Sequence, residues 1–140
     1  MFTLSARGDY GLMFLKYLTT LKPGQYATVR TVAEEQGLPF KYLERVAAAL
    51  VSSGIVVSRE GQGGGYALAK PVAQIRLAEV LEALEGTLEP VTCTHDGTCC
   101  ERQAACERKT GWQNVHSKLY QVLAQHSLAD VLSSMQEVRK

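Results

Sequence analysis

This 140-residue chain lacks several features that would mark other classes of protein. No apolar run approaches the ~20 residues that span a bilayer, and no basic, apolar and small-residue leader opens the chain, so we expect a cytoplasmic protein with no membrane partner. No C-x-x-C pair occurs, and no nucleophile, base and acid form a set, which argues against an enzyme. The net charge is only +1, so any attraction to a nucleic acid must come from local clusters of basic residues.

The middle of the chain has the pattern of a helix-turn-helix. Thr28 is an N-cap candidate for a short helix that ends at Gly37, and Pro39 suits the first turn of a second helix that ends at Gly54. The second helix has apolar residues at i, i+3, i+4 and i+7, namely Leu43, Val46, Ala47 and Leu50. Two helices joined by a short turn are typical of proteins that place the second helix in the major groove of DNA.

The next residues predict a two-stranded hairpin, or wing, beside the second helix. Residues 55–59 and 66–69 are rich in β-forming side chains, and the tip at residues 60–65 contains four glycines. Such a tip can approach a sugar-phosphate chain, although the glycines would also suit any tight hairpin. Arginine and lysine donate to guanine or phosphate, and tyrosine can reach phosphate. The predicted DNA contacts are Lys41, Tyr42 and Arg45 on the helix and Arg59, Gly61 and Gly63 on the wing.

Further helices are predicted on both sides of the winged motif. Ser5 can cap a first helix that runs to about residue 20, and a helix at residues 77–84 follows the wing. A long helix begins near residue 110, and Ser127 with Asp130 resembles a capping box that opens a last helix. The long helix has an apolar stripe that needs a partner surface. We expect it to pair with its copy in a homodimer on palindromic operator DNA, with the two DNA-reading helices about 34 Å apart. The alternative, which does not exclude the dimer, is that the helix folds back onto its own domain.

The predicted fold is therefore mainly α with a small β-wing. A winged helix-turn-helix DNA-binding domain occupies residues 1–86, a cysteine-rich loop residues 87–109, and dimerisation helices residues 110–140. The loop has no helical or strand periodicity, so its order must come from something other than a hydrophobic face. A bound metal would supply that order.

All the cysteines of the chain lie in this loop, which makes it a candidate metal site. They are Cys93, Cys99, Cys100 and Cys106, spaced C-x5-C-x6-C through Cys99 or C-x6-C-x5-C through Cys100. Cytoplasmic thiols stay reduced, which favours ligands or redox sensors over structural disulfides, and iron–sulfur clusters take cysteine sulfur readily. The alternatives are a zinc site completed by His95 or His116, a disulfide switch without metal, and thiols without a role.

Five stretches carry a resemblance to a known family. They are LSARGDYGL at residues 4–12, YLERV at 42–46, SSGIVVSREGQGGGYALAKP at 52–71, LAEVLEALEG at 77–86, and the cysteine loop followed by Trp112. Together they resemble the IscR/NsrR family of bacterial winged-helix regulators, usually repressors, that carry an iron–sulfur cluster. The resemblance implies that three loop cysteines hold the cluster and that a non-cysteine ligand completes the set. Cys93 and Cys106 match the outer cysteines and Cys100 the middle one, with Cys99 as the alternative.

The resemblance also suggests the fourth ligand. One branch of the family uses a histidine three residues after the last cysteine, where this chain has Lys109. The nitric-oxide-sensing branch uses an aspartate early in the first helix, donated across the dimer, and Asp9 stands at that place. A carboxylate in a first turn also complements the helix dipole, which is the alternative explanation for Asp9. We expect a 4Fe–4S cluster rather than a 2Fe–2S cluster; a four-iron cluster needs a ligand at each iron, so a further group must come from outside the cysteine loop or from solvent.

Overall fold

The computed structural model describes residues 4–88 and 106–137 and confirms the mainly helical fold with a small sheet. Within these ranges the elements are α1 (Ala6–Leu18), α2 (Val29–Gln36), α3 (Phe40–Ser52), β1 (Val56–Arg59), β2 (Gly65–Leu68), α4 (Leu77–Glu85), α5 (Glu107–Gln125) and α6 (Leu128–Glu137). A short 3-10 turn, Val72–Gln74, connects β2 to α4. The two strands pair antiparallel. None of the helices in the described ranges has the length and apolar character needed to cross a membrane.

The core lies where α1, α3 and α4 meet, and α2 and the sheet close its sides. The inward face of α3 is as predicted, with Leu43, Val46, Ala47 and Leu50 all buried. The sequence predicts an apolar stripe on α1 made of Tyr10, Met13, Phe14, Tyr17, Leu18 and Leu21. Of these Phe14 and Leu18 are buried, and the other buried residues of α1 are Gly8, Gly11 and Leu15. Other members of the predicted stripe, Tyr10, Tyr17 and Leu21, are only partly buried against the core. The difference arises because α1 approaches α4 through its glycines.

The predicted helix caps are present. The Ser5 hydroxyl accepts from the Gly8 amide at 3.3 Å and opens α1. The Thr28 hydroxyl accepts from the Thr31 amide at 3.1 Å and opens α2. Gly37 ends α2 in the left-handed region, with φ of 66°. These local signals fix the turn between α2 and α3, and Pro39 immediately precedes α3.

Three boundaries differ from the predicted ones. α1 ends at Leu18 rather than near residue 20, since the hydroxyls of Thr19 and Thr20 donate to carbonyl groups of its last turn at 2.6 and 2.7 Å. Gly65 belongs to β2 rather than to the wing tip, because it pairs with Arg59. α5 begins at Glu107, three residues before the predicted start, so the end of the predicted loop is helical.

The glycines of α1 allow a close approach to α4. A Cβ at Gly11 would overlap the Leu84 side chain, which is itself buried, and a Cβ at Gly8 would overlap Glu85 and Leu4. Neither glycine has a positive φ, so the requirement here is space rather than backbone conformation. The glycines therefore set the distance between α1 and α4.

We expect Gly11→Ala to destabilise the fold relative to Gly111→Ala. Both variants gain the same helix propensity, up to about 1 kcal/mol, but Gly111 has open space around its Cβ position. The overlap with Leu84 should therefore separate the two free energies of unfolding by roughly 1–3 kcal/mol. Urea denaturation followed by circular dichroism measures both. Equal free energies of unfolding would show that Leu84 moves aside at no cost.

The last helix, α6, packs against its own winged domain. The Ser127 amide donates to the Asp130 carboxylate at 2.7 Å, and the Asp130 amide donates to the Ser127 hydroxyl at 3.3 Å, which confirms the predicted capping box. The Ser127 amide lowers the pKa of Asp130, as does the Ser127 hydroxyl, which also donates to the carboxylate at 3.0 Å. Leu128 and Leu132 are buried in the core. The prediction grouped α6 with α5, whereas in the structure α6 completes the core of the winged domain.

Candidate nucleic-acid interface and thiol site

The outward face of α3 brings two of the predicted DNA contacts together. Lys41 and Arg45 are both exposed and lie one turn apart, opposite the buried face of the helix. Glu44 is exposed beside Arg45. It also lines a shallow groove between α3, the start of α2 and the first residues of β2. A carboxylate on this face can accept from cytosine N4, so Glu44 joins the candidate contacts. Periodicity could have identified it, since it shares the spacing of Lys41 and Arg45.

Tyr42, the third predicted DNA contact on α3, is half-buried, unlike the exposed Lys41 and Arg45. Its ring packs edge-on against the Tyr10 ring, with 5.4 Å between centroids, and the side chain is half-buried against the core. This contact holds α3 on α1. The structure therefore gives Tyr42 a packing role, and its contact with DNA stays a prediction.

The wing is anchored to the rest of the domain through β2. Ala27, just before α2, exchanges two backbone hydrogen bonds with Tyr66 of β2, at 2.7 and 3.0 Å. The Tyr66 ring packs edge-on against Phe14 of α1, with 6.0 Å between centroids. Gly61 and Gly63 are exposed at the tip. The tip thus extends from an anchored strand, and its two predicted DNA contacts, Gly61 and Gly63, face solvent.

Two arginines near the reading face lie over aromatic rings. The guanidinium carbon of Arg59 is 4.6 Å from the centre of the Tyr26 ring, and that of Arg30 is 5.3 Å from the centre of the Phe40 ring. Arg59 was predicted as a contact from the wing sequence, whereas Tyr26 and Arg30 were not selected. The pairing of Arg59 with Tyr26 depends on how the segment before α2 bonds to β2, which no local pattern reveals.

Cys106 is the cysteine of the predicted ligand set that lies within the described residues. Its thiol is half-exposed at the first residue before α5. The backbone amides of Lys109 and Arg108, together with the Arg108 guanidinium, lower the pKa of the thiol. A lowered pKa favours the thiolate, which is the form that binds metals and attacks electrophiles. Cys93, Cys99, Cys100 and His95 lie outside the described residues.

Asp9 is exposed in the first turn of α1, where it lines a shallow pocket with Lys16, Tyr17 and Met135. The amide and hydroxyl of Ser5 donate to the Glu85 carboxylate at 3.0 and 2.7 Å, so the end of α4 is tied to the start of α1. Within residues 4–88 and 106–137, no three His, Cys, Asp or Glu side chains gather closely enough to hold a metal ion. His116, on α5, lies beside Tyr120 with 6.2 Å between ring centres.

An apolar stripe on α5 faces solvent. Four large residues are exposed along it: Trp112 by 43%, Val115 by 51%, Leu119 by 36% and Val122 by 53%. Their spacing of three, four and three residues is the a/d spacing of a coiled coil. No residue of α5 is buried, although the helix runs along α4. The stripe therefore has the pattern of a helix–helix interface, and it is exposed to solvent in the single chain.

Comparison with known proteins places the chain in a family. The model of the family described as "Rrf2: Iron-dependent Transcriptional regulator" matches residues 4–134. The protein rrf2 of Nitratidesulfovibrio vulgaris is 33% identical over 129 residues, which cover 92% of this chain and 86% of that protein. The regulator NsrR of Halalkalibacterium halodurans is 28% identical over 137 residues, which cover 97% of this chain and 94% of that protein.

Solved structures agree with this placement. The structure of CymR, the global cysteine regulator of B. subtilis, matches with a TM-score of 0.69 at 26% identity, covering 96% of this chain and 98% of CymR. T. potens IscR matches with a TM-score of 0.67 at 28% identity, covering 99% of this chain and 92% of IscR. The resemblance seen in the sequence is confirmed, and the chain belongs to the Rrf2 family of transcriptional regulators, which are DNA-binding proteins rather than enzymes.

Proposed function

We propose that this protein is a homodimeric repressor that binds a palindromic operator with an affinity set by a 4Fe–4S cluster. The proposed ligands are Cys93, Cys100, Cys106 and Asp9. One observation carries the proposal: Cys106, a thiol with a lowered pKa, lies immediately before the helix that exposes the coiled-coil stripe. A change in the bonding of Cys106 would therefore alter the first turn of α5, the proposed dimer helix.

The residues present suit such a cluster. Cysteine thiolates are the usual ligands of cluster irons, and the amides at the start of α5 favour the thiolate of Cys106. The Asp9 carboxylate is exposed, so it is free to act as an oxygen ligand. When bound, the cluster would supply an iron centre that reacts with nitric oxide, oxygen or oxidants. An oxygen ligand such as Asp9 would hold one iron weakly and leave it open to small molecules.

The proposed signal passes from the ligands to DNA through the dimer. Loss or modification of the cluster would change the ligand bond of Cys106 at the N-terminal end of α5. In the proposed dimer, α5 would set the relative placement of the two winged domains. Coupling of this kind needs two sites that bias the same structural element. Here that element is α5. Lys41 and Arg45 would then reach base edges and phosphates, and Arg59, Gly61 and Gly63 the neighbouring backbone.

Arg45 is expected to read a base. Arg45→Ala should lower operator affinity by ~1–3 kcal/mol and flatten sequence preference, since a bidentate contact to guanine is lost. Arg45→Lys is the matched control, because it keeps the charge and loses the planar fork. We expect Arg45→Lys to retain binding to unrelated DNA while losing preference for the operator. Fluorescence anisotropy at fixed salt measures both, and unchanged operator affinity in Arg45→Ala would contradict this role.

The central experiment compares the protein with and without its cluster. The anaerobically reconstituted protein is first used to select a DNA duplex from a library of randomised sequences. The iron and sulfide content of the same protein is then measured. We expect about four irons per protomer, as in a 4Fe–4S cluster, and a different affinity for the selected duplex in the cluster-free protein. Addition of nitric oxide to the reconstituted protein should produce the same change. Equal affinity in all states would overturn cluster control, and failure to select any sequence would overturn operator binding.

A thiol switch without iron is the second candidate. It is favoured by the lowered pKa of the Cys106 thiol and by the similarity to CymR, which is described as a cysteine regulator. In this case the protein would remain colourless after reconstitution. Its DNA affinity would change on oxidation and return on treatment with a thiol reductant. Metal analysis of the same sample would also identify zinc, the remaining alternative.

A further inference from the structure

The side chain of Arg59 runs across the wing to a ring outside it. Arg59 is the last residue of β1, and its guanidinium carbon is 4.6 Å from the centre of the Tyr26 ring. The same guanidinium donates through Nη2 to the Gly63 carbonyl at 3.4 Å. Tyr26 precedes α2 and Gly63 lies at the wing tip, so two separate segments hold one charged group.

The glycines of the wing make this path available. The cross-strand partner of Arg59 is Gly65, which has no side chain to occupy the space beside the arginine. A Cβ at Gly65 would overlap the Ala27 backbone, and a Cβ at Gly64 would overlap the Arg59 carbonyl. The chain segments around Arg59 therefore approach more closely than side chains would permit.

Tyr26 itself is held in place. It is half-buried, and the next residue, Ala27, bonds to both backbone groups of Tyr66. Because Tyr66 packs against Phe14 of the core, the ring that receives Arg59 is attached to the rigid part of the domain. A guanidinium stacked on a ring keeps its edge N–H groups free to donate.

We infer that Tyr26 is a positioning residue for Arg59, holding its guanidinium beside the wing tip in the orientation that the wing presents to DNA. The inference rests on the proposed operator binding. A free arginine side chain loses rotamer freedom when it binds, and holding it in advance removes part of that loss. Tyr26 acts through Arg59, so its effect on DNA affinity must vanish when Arg59 is absent.

The positioning is tested first without DNA. The Arg59 side-chain signals in the NMR spectrum should be shifted upfield by the ring current of Tyr26. Tyr26→Phe keeps the ring and should keep the shift, whereas Tyr26→Leu should abolish it. Thermal unfolding of each variant verifies that the wing and core remain folded. Absence of the shift in the unmodified protein would overturn the stacking in solution.

The effect on DNA is tested with the duplex selected by the unmodified protein. Tyr26→Leu should weaken binding about 3- to 5-fold, the size expected for an exposed cation–π contact, and Tyr26→Phe should restore affinity. In an Arg59→Ala background, Tyr26→Leu should change nothing. Arg59→Ala alone should reduce the slope of log K against log salt by about 1, while Tyr26→Leu should leave that slope unchanged because the charge remains.

The outcomes separate this inference from the function on which it rests. If the unmodified protein binds its duplex and Tyr26→Leu weakens it equally with and without Arg59, Tyr26 acts by itself and the inference is wrong. Tighter binding by Tyr26→Leu would show that the ring holds Arg59 away from DNA, which also contradicts it. If the unmodified protein selects no duplex, operator binding fails, and the inference fails with it.

Discussion

Cys106→Ala protein is expected to stay colourless after anaerobic reconstitution with iron and sulfide. The substitution removes a thiolate ligand that the other described residues do not replace, since no group of metal-binding side chains forms within the described ranges. Visible absorbance and iron counting give the result directly. We expect the iron content to fall to the background of a protein without a cluster.

Variants at the other loop cysteines and at Asp9 serve as controls for Cys106→Ala. Cys93→Ala and Cys100→Ala should also be colourless, whereas Cys99→Ala should remain brown if Cys100 is the middle ligand. Asp9→Ala should assemble a brown cluster on the three cysteines, hold it more loosely, and lose the coupling to DNA. A fully loaded Cys106→Ala protein would contradict the ligand set. If Asp9→Ala matches the unmodified protein in cluster lifetime, nitric oxide response and operator affinity, Asp9 only complements the helix dipole.

The second large effect is expected from the exposed stripe of α5. Val115→Glu combined with Val122→Glu should give monomers, because both side chains are about half-exposed in the single chain and would be buried in a coiled-coil seam. Loss of the second reading head should lower operator affinity on the order of 100-fold or more. Analytical ultracentrifugation at micromolar concentration and anisotropy with the selected duplex measure the two effects.

The matched control places the same charge on the opposite side of α5. Ser117 is exposed and lies at the heptad position farthest from the stripe, so Ser117→Glu should leave the dimer and its operator affinity unchanged. A stable dimer in the Val115→Glu, Val122→Glu variant would show that another surface joins the protomers. Leu123 is less suitable for this test than Val115 or Val122, since it is half-buried in the single chain.

Features with a regular pattern were predictable from the sequence. The inward face of α3, the cap at Thr28 and the capping box at Ser127 all depend on residues close together in the chain, and the structure confirms each. The wing was predictable because β-forming runs surround a glycine-rich tip. The family resemblance depends on the same short motifs.

Features that depend on distant contacts were not predictable. Gly8 and Gly11 give no hydrophobic signal, so the face of α1 that meets α4 was missed. Tyr26 meets Arg59 only after Ala27 has bonded to β2. The start of α5 was placed too late because Cys106 is not one of the residue types that favour an N-cap. Asp9 was selected through the family resemblance, and its role stays a prediction.

The fixed end of α5 gives the helix the mechanics of a lever. The Leu77 amide donates to the His126 carbonyl at 2.9 Å and the Leu128 amide to the Ile75 carbonyl at 2.8 Å, so the C-terminal end is the pivot. At 1.5 Å per residue, its nineteen residues give an arm of about 28 Å that ends beside Cys106. A displacement of about 5 Å at that end corresponds to a rotation of about 10° at the pivot. In the proposed homodimer, two-fold symmetry would double the angle between the winged domains, so a motion of a few ångströms at one thiol would become a change in the spacing of two DNA-reading helices.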